Sequence, residues 1–200
     1  MEEIFTIGHS KHSIEQFIAL LTAHNISVVA DVRSSPYSQY SPQFNREALQ
    51  QGLCNADIKY VFLGKELGAR RAEESCYIEG QAKYDLIKDL PLFRTGLDRV
   101  LQGVEQHRVA LMCSESDPLA CHRTILVCRE LRKLRPELRI KHILEDGCIE
   151  SQEDTEERLI KLHKLQPELF GDLNSTSGLV NKAYDIQSER IAYKKALVEA

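Results

Sequence analysis

The stretch EIFTIGHSKHSIEQFIALLTAHNISVVADV, residues 3–32, decides the fold of this chain. It contains two short apolar runs rich in β-branched residues, at 3–7 and 26–32, and such runs are typical of buried strands. Between them, Ser13 and Gln16 have the spacing of a capping box, and an apolar stripe at helical spacing follows. A strand, a helix and a second strand within about 30 residues predict a βαβ unit with parallel strands.

The same alternation continues along the chain. Apolar runs at residues 58–64, 108–115 and 140–144 predict three more strands. The segment DPLACHRTILVCRELRKL, residues 117–134, predicts one continuous helix that starts at Pro118. We therefore predict an α/β fold with an open, mostly parallel, Rossmann-like sheet of about five strands and helices on both faces.

The chain divides into two parts by composition. Residues 1–148 carry the alternating pattern and form the predicted α/β domain. Residues 149–200 begin with an acidic segment and continue as a helical C-terminal extension, packed on the domain or flanking it. Within the extension we predict helices at residues 158–165 and 191–200, separated by a linker at 171–178.

Composition excludes several classes of protein. A net charge of −4 over 200 residues argues against a surface that tracks nucleic acid throughout, although a local basic patch remains compatible with it. No apolar run approaches the ~20 residues that span a bilayer, and the acidic start is unlike a signal peptide. Six cysteines without an export signal favour reduced thiols, so we expect a cytoplasmic protein that does not contact membranes.

Four polar segments follow the predicted strands. Parallel α/β sheets bind ligands at the carboxyl ends of their strands, so we expect these segments to form one polar cleft for an anionic group. None of them has the glycine pattern of a dinucleotide-binding turn or of a P-loop. The segments are GHS (8–10), DVRSSPYS (31–38), GKELGARR (64–71) and CSESDPLACHR (113–123).

Two arginines are the predicted clamps of the anion. The guanidinium fork suits phosphate or carboxylate, and Arg123 lies near the predicted helix start, whose amides also attract anions. Arg33 follows the second strand and is predicted to hold the same anion. The alternative for Arg123 is an ordinary surface pair with Asp117 or Glu130, and the alternative for Arg33 is mutual neutralisation with Asp31.

Further residues of these segments are candidate ligand-binding groups. Tyr37 is predicted either to stack on a base or ring or to anchor its own loop. His122 is predicted to donate to an anion or to cap nearby carbonyls. The ligand-binding candidates are Ser10, Arg33, Ser35, Tyr37, Arg70, His122 and Arg123.

Four residues are candidate catalytic groups. His9, Asp31 and Glu115 are acid/base candidates, with Asp31 alternatively orienting Arg33 and Glu115 alternatively pairing with a cation. Cys121 is either a nucleophile near a helix start or a small core residue, since it shares an apolar helical stripe.

We expect neither a metal nor a cofactor. A zinc site formed by Cys113, Cys121 and His122 lacks a fourth ligand, and the chain has no Cys-x-x-Cys pair. On a regular helix, neighbouring residues such as Cys121 and His122 also point about 100° apart.

The motifs TIGHS, DVRSSPYS, Tyr60-x-x-Leu-Gly-x-x-Leu-Gly and Cys-Ser-Glu…Cys-His-Arg, in this order over roughly residues 4–148, resemble those of the domain-of-unknown-function 488 family. The resemblance implies a Rossmann-like fold and a cytosolic, mostly prokaryotic protein, and it supplies no reaction. Family members often have a second glycine where this chain has Ala69, which weakens a role for that loop's backbone. The residues singled out are His9, Ser10, Asp31, Arg33, Glu115, Cys121, His122 and Arg123.

The expected function is hydrolytic or transfer chemistry at a phosphoryl or glycosidic centre. The expected partner is an anionic small molecule, such as a nucleotide or sugar phosphate, or a nucleic-acid end. A non-catalytic nucleotide or nucleic-acid sensor is the first alternative, and thiol chemistry at Cys121 is the second. We also predict a homodimer formed through the C-terminal extension.

Overall fold

The computed structural model describes residues 2–10, 12–167 and 175–195, and these residues form the predicted α/β fold. A six-stranded sheet has the order β3-β2-β6-β1-β7-β8, and all its strands are parallel except β8, which runs antiparallel to β7. A separate hairpin consists of β4 and β5. The strands are β1 (Glu3–Gly8), β2 (Val28–Asp31), β3 (Lys59–Phe62), β4 (Tyr77–Ile78), β5 (Gln81–Ala82), β6 (Val109–Cys113), β7 (Arg139–Ile143) and β8 (Ile149–Ser151).

Helices cover both faces of the sheet. On one face, α1 and α2 pack through residues such as Phe17 and Leu49 on Phe5 and Met112 of the strands. The other face packs against α5–α8. Within the described ranges, no helix combines the length and the apolar composition needed to cross a membrane. The helices are α1 (Ile14–Ala23), α2 (Arg46–Cys54), α3 (Gly64–Leu67), α4 (Tyr84–Ile87), α5 (Pro91–Gln106), α6 (Arg129–Leu134), α7 (Gln152–Leu162) and α8 (Thr176–Ile191).

The opening unit forms as predicted, but its two strands are not neighbours. The capping box of α1 is present in both directions, between Ser13 Oγ and the Gln16 amide and between the Gln16 side chain and the Ser13 amide. β6 lies between β1 and β2 and pairs in parallel with each of them. The carboxyl ends of β1, β2 and β6 therefore meet at one edge of the sheet.

The prediction of one continuous helix over residues 117–134 is wrong. A 3₁₀ turn covers Pro118–Ala120, Cys121 has extended backbone (φ −130°, ψ 138°), and a wide π-helical segment, Arg123–Cys128, leads into α6. The Asp117 side chain accepts a hydrogen bond from the amide of Leu119, which caps this short turn. Tertiary contacts stabilise this interruption of the helix, because helix propensity is weak compared with packing.

The C-terminal extension contributes a strand that the sequence did not predict. The acidic segment forms β8 and the start of α7, so the helix predicted at 158–165 begins earlier, at Gln152. Ser151 caps α7 by accepting from the amide of Asp154, and acidic residues suit the first turn of a helix. The negative charges of this segment therefore favour the start of a helix.

The end of the chain also differs from the prediction. α8 ends at Ile191, and Lys194 forms an antiparallel bridge with Gln81 instead of continuing a helix. The amide of Ala82 donates to the carbonyl of Tyr193 at 2.9 Å. The remainder of the helix predicted at 191–200 lies outside the described residues, as does the first half of the linker predicted at 171–178. The second half of that linker is wrong, because α8 begins at residue 176.

Candidate functional site

A polar cleft of about 830 Å³ opens at the carboxyl ends of β1, β2 and β6. Its floor and walls come from the loops that follow these strands, as the topology of parallel sheets predicts. The structure brings most of the predicted site residues together here, and Asp31 and Arg123 lie behind the walls. The predicted residues that line the cleft are His9, Ser10, Arg33, Ser35, Tyr37, Arg70, Glu115, Cys121 and His122.

Gly8 brings the loops after β1 and β6 together. A Cβ atom on Gly8 would lie 1.9 Å from the carbonyl oxygen of Glu115, so only glycine permits this approach. The amide of His9 donates to Cys113 at 2.9 Å, and the amide of Ser10 donates to Ser114 at 2.8 Å. Strand-like pairing thus continues beyond the sheet and places His9 beside the cysteine that ends β6.

Asp31 orients Arg33. Its carboxylate accepts from Nε and Nη2 of Arg33 at 2.9 and 2.7 Å and from the hydroxyl of Tyr60 at 2.8 Å. Arg33 also donates to the carbonyl of Phe44 and to Nε2 of His9. These four side-chain bonds occupy four of the five guanidinium N–H groups, so one remains for a ligand.

His9 is an uncharged imidazole on the cleft wall. Burial, assisted by the charge of Arg33, lowers the pKa of His9 to about 4. Its ring stacks on Phe44 with centroids 4.3 Å apart. The Nδ1 atom of His9 is buried and has no hydrogen-bond partner in the described part of the chain. At neutral pH His9 therefore offers an N–H group rather than a positive charge.

Two thiols and an imidazole meet on the cleft floor. His122 Nε2 donates to the carbonyl of Val32 at 3.0 Å, which directs the Nδ1 lone pair toward Cys113 Sγ at 3.7 Å and Cys121 Sγ at 3.9 Å. The expected 100° divergence of Cys121 and His122 is wrong, because Cys121 precedes the helix with extended backbone. All three residues line the cleft.

The two thiols of the floor differ in acidity. Burial opposes ionisation of Cys121, but the hydrogen bond with Cys113 and the charge of Arg123 outweigh it and hold the pKa of Cys121 well below its usual range. The same hydrogen bond, together with burial, raises the pKa of Cys113 well above its usual range. Cys121 is therefore the more acidic of the two thiols.

Arg123 supports the floor from below. It has no exposed surface, and it donates to Thr6 Oγ at 3.2 Å, to the carbonyl of Ser116 at 3.0 Å and to the carbonyl of Glu115. Among the residues that the structure describes, it forms no ion pair with Asp117 or any other carboxylate. Arg123 is therefore neither the predicted clamp of an anion nor the predicted member of a surface ion pair. It holds the loop after β6 in place.

A buried chain of hydrogen bonds continues from Arg123 to the C-terminal helices. Thr6 donates to Nδ1 of His142 at 2.8 Å, and Nε2 of His142 donates to Gln152 at 3.0 Å. The amide group of Gln152 then donates to the hydroxyl of Tyr184 in α8. Burial lowers the pKa of His142 to about 3, so this imidazole stays neutral. No sequence motif includes His142, because its role depends on these distant partners.

The upper walls of the cleft carry a cation and exposed rings. The guanidinium of Arg70 lies 4.7 Å from the ring centroid of Tyr193 and has no carboxylate partner among residues 2–10, 12–167 and 175–195. Tyr37 and Tyr40 are 54% and 87% exposed at the rim, although the Tyr37 hydroxyl also donates to Glu47. Sequence reasoning missed Tyr193, since only the pairing of the chain's end with β5 brings it here.

Comparisons with known proteins give one match. A family model described as domain of unknown function DUF488 matches residues 13–129, which is more than half of the chain. No curated protein and no solved structure matches. The matched span includes the loops after β2 and β6 with Cys113, Cys121 and His122, and it leaves out His9 and the C-terminal helices.

Proposed function

This chain belongs to the DUF488 family, and from the geometry of its cleft we propose that it is an enzyme with hydrolytic or transfer chemistry on a phosphate-bearing substrate. The substrate class is a nucleotide, a sugar phosphate or a nucleic-acid end. The cleft has the size of a small-molecule site, and its polar groups converge from three strand ends. Size and polarity alone fit many ligands, so the proposal depends on charge.

The observation that carries the proposal is the guanidinium of Arg70, which pairs with no carboxylate in the part of the chain that the structure describes. Arg33 is neutralised by Asp31 and retains one N–H group, whereas Arg70 faces the cleft without a carboxylate partner within the described ranges. An arginine held over a tyrosine ring presents its fork of donors in a fixed plane, which suits a phosphate. We therefore assign Arg70 the main contact with the anion, with Arg33 as a second donor.

The rim of the cleft supports a substrate that also contains a ring. Exposed tyrosines in a loop supply flat surfaces on which bases and sugars stack. Tyr37 and Tyr40 are in this position, and serine hydroxyls line the wall beneath them. These serines are Ser10, Ser34, Ser35, Ser38, Ser41 and Ser114. A nucleotide or a sugar phosphate fits this combination better than a bare anion does.

Glu115 is the acid/base candidate with the best access to the cleft. Its side chain is exposed and lines the cleft, and it has no ion-pair partner in the described part of the chain. The Asp31 carboxylate is fully buried and bonded, so we give it the orienting role. His9 is uncharged and accepts a hydrogen bond from Arg33, so it adds no charge to the cleft.

A thermal-shift screen tests the proposed substrate class. At ligand concentrations near 100 Kd, the expected stabilisation is about 2.7 kcal/mol, or roughly 5 to 10 °C for a chain of this size. Nucleotides, sugar phosphates, inorganic phosphate and short DNA and RNA ends are the probes. Arg70→Ala should abolish the shift. Arg94→Ala should keep the shift, because Arg94 lies on α5 and forms an exposed ion pair with Asp89. The absence of a shift with every probe would contradict the proposal.

Turnover distinguishes an enzyme from the alternative, a sensor. Glu115→Gln should leave the thermal shift unchanged and lower the rate of product formation about 100-fold or more, the usual contribution of a general acid or base. Product is measured by chromatography with each probe that binds to the wild type. Binding without turnover of any probe by the wild type would instead favour the sensor.

We also propose a cytoplasmic location and a homodimer formed through the C-terminal extension. All six cysteines are free thiols, which supports a reducing compartment such as the cytoplasm. Leu162, at the end of α7, is 45% exposed on the C-terminal extension, and it is the kind of residue that the predicted homodimer would cover. Size-exclusion chromatography with light scattering measures whether the protein is a monomer or a dimer.

A further inference from the structure

We propose that Cys113, Cys121 and His122 bind a zinc ion whose fourth coordination position opens into the cleft. Sγ of Cys113, Sγ of Cys121 and Nδ1 of His122 lie within 4.8 Å of one another. Two thiolates and one imidazole are a donor set that zinc prefers. The binding of the ion is independent of the proposed function, and only its use in catalysis depends on it.

The distances between the donor atoms suit one small ion. With Zn–S bonds of about 2.3 Å and a Zn–N bond of about 2.05 Å, a tetrahedral site separates sulfur from nitrogen by about 3.6 Å. The observed separations from His122 Nδ1 are 3.7 Å to Cys113 and 3.9 Å to Cys121. The two separations from the nitrogen are therefore within about 0.3 Å of those in a tetrahedral zinc site.

Both sulfurs of the cluster face the same nitrogen. A neutral imidazole has one lone pair, and here it lies on Nδ1, because Nε2 donates its proton to the carbonyl of Val32. One lone pair accepts one good hydrogen bond, yet two thiols approach it. A cation at the centre satisfies all three donors together.

The surroundings of His122 are those of a metal ligand. Histidines that bind metals usually donate their other ring N–H to a carbonyl or carboxylate, which sets the tautomer and the ring orientation. The bond from His122 Nε2 to Val32 at 3.0 Å does this. Val32 follows β2, so the imidazole is held by the sheet itself and not by a surface loop.

The three donors come from rigid positions. Cys113 is the last residue of β6, in the centre of the sheet. Cys121 lies at the break between the 3₁₀ turn and the following helix, and both sulfurs are nearly buried, with 6% and 2% of each residue exposed. A site built on such positions loses little conformational entropy when an ion binds.

The fourth position of this site is open. No fourth histidine, cysteine or carboxylate joins the cluster in the described ranges, and all three donors line the cleft. Closed zinc sites with four protein ligands are structural, whereas three ligands with an open position are typical of catalytic sites. Zinc at this position would hold a water molecule, lower its pKa to near 7, or bind a substrate oxygen.

Metal analysis tests the inference. The chain, produced with zinc in the medium and then dialysed, should contain about one zinc per chain by mass spectrometry of the metal, as one Cys₂His site requires. Cys113→Ser, Cys121→Ser and His122→Gln should each reduce this content at least tenfold. Cys54→Ser and Cys148→Ser, which alter exposed cysteines, should leave it unchanged. Unchanged zinc in the three site variants, or no zinc in the wild type, would overturn the inference.

Two measurements on the wild type keep the test independent of how the variants fold. Cobalt should produce the visible and sulfur charge-transfer bands of a tetrahedral thiolate site. Zinc should slow the alkylation of Cys113 and Cys121 at least tenfold without protecting Cys54 or Cys148. If Cys121 reacts equally fast with and without zinc, the inference fails, and thiol chemistry at Cys121 gains support.

The zinc test and the test of the proposed function can fail separately. Zinc content is measured without substrate, and Arg70→Ala should keep the zinc while losing the response to phosphate compounds. Retained zinc with no response to any anion would leave the metal site standing and remove the proposed function. Loss of the zinc assignment would leave the anion response of Arg70 untouched.

Discussion

Arg123 shows how a buried cation can serve the fold instead of a ligand. Its guanidinium satisfies the carbonyls of Glu115 and Ser116, which no regular secondary structure pairs. Backbone carbonyls that lose their partners destabilise a fold, so this one side chain fixes the path of the loop that carries Glu115. The position of the acid/base candidate thus depends on a residue that does not line the cleft.

Replacement of Arg123 by methionine should destabilise the protein. Arg123→Met removes the donors to two carbonyls, and we expect the free energy of unfolding to fall by about 2 to 6 kcal/mol, from roughly 1 to 3 kcal/mol for each group left unpaired. Urea denaturation measures the change. Arg94→Met should change it by less than about 0.5 kcal/mol, since exposed pairs contribute little. Equal effects of the two substitutions would contradict the supporting role of Arg123.

Sequence reasoning identified most cleft residues, and it erred on how two of them are placed. Residue type and strand-end position were enough for His9, Arg33 and Arg70, because parallel sheets gather such segments at one edge. The spatial relation of Cys121 and His122 was not predictable, because it depends on a backbone break. That break is held from another element, where the side-chain amide of Gln187 donates to the carbonyl of Leu119.

At the scale of elements, the close approach of two loops depends on Gly8. The loop after β6 passes directly over the end of β1, with the Glu115 carbonyl where a side chain would begin. This position therefore needs a glycine, because a side chain would fill the space that the neighbouring backbone occupies.

Gly8→Ala and Gly103→Ala should have opposite effects. A methyl group on Gly8 would clash with backbone, which should lower the free energy of unfolding by about 2 to 3 kcal/mol. Gly103 lies within α5, where a Cβ would make an ordinary contact of 3.6 Å with Val109. Alanine at this position should therefore raise the free energy of unfolding by about 0.5 to 1 kcal/mol. Urea denaturation of both variants measures this. A neutral Gly8→Ala would show that the two loops separate easily.

The elements that depend on local signals were predictable, and those that depend on distant partners were not. The capping box of α1 and the five parallel strands follow from spacing and apolar runs. β8 pairs antiparallel with β7 at the edge of the sheet, and its residues carry no strand pattern of their own. The position of β6 between β1 and β2 is likewise a property of the whole sheet.

At the scale of the molecule, two buried neutral histidines make stability dependent on pH. The pKa of His142 is about 3 and that of His9 about 4 in the folded chain, both below the ordinary value near 6.5. Below pH 6.5 the unfolded chain therefore binds more protons than the folded one. Stability is lost as the pH falls from about 6.5 toward 4, and each histidine contributes roughly 2 kcal/mol of loss at pH 5.

His142→Asn should weaken this dependence. The difference in the free energy of unfolding between pH 7 and pH 5 should shrink by about 2 kcal/mol, because one depressed pKa is removed. Urea denaturation at both pH values measures it. His107→Asn is the control, at the C-terminal end of α5 and away from the cleft, and should leave the difference unchanged. An unaltered difference in His142→Asn would refute the contribution of this histidine.

The insertion of β6 between two earlier strands affects how the protein folds during its synthesis. A nascent chain that ends before residue 109 contains β1 and β2 but not the strand that joins them, so both expose unpaired peptide edges. Such edges invite aggregation, and pairing over long sequence separations is slow. We therefore expect ribosome-bound fragments to need chaperones until β6 emerges. Cys113 lies on that strand, so closure of the sheet and the first appearance of the cleft floor coincide.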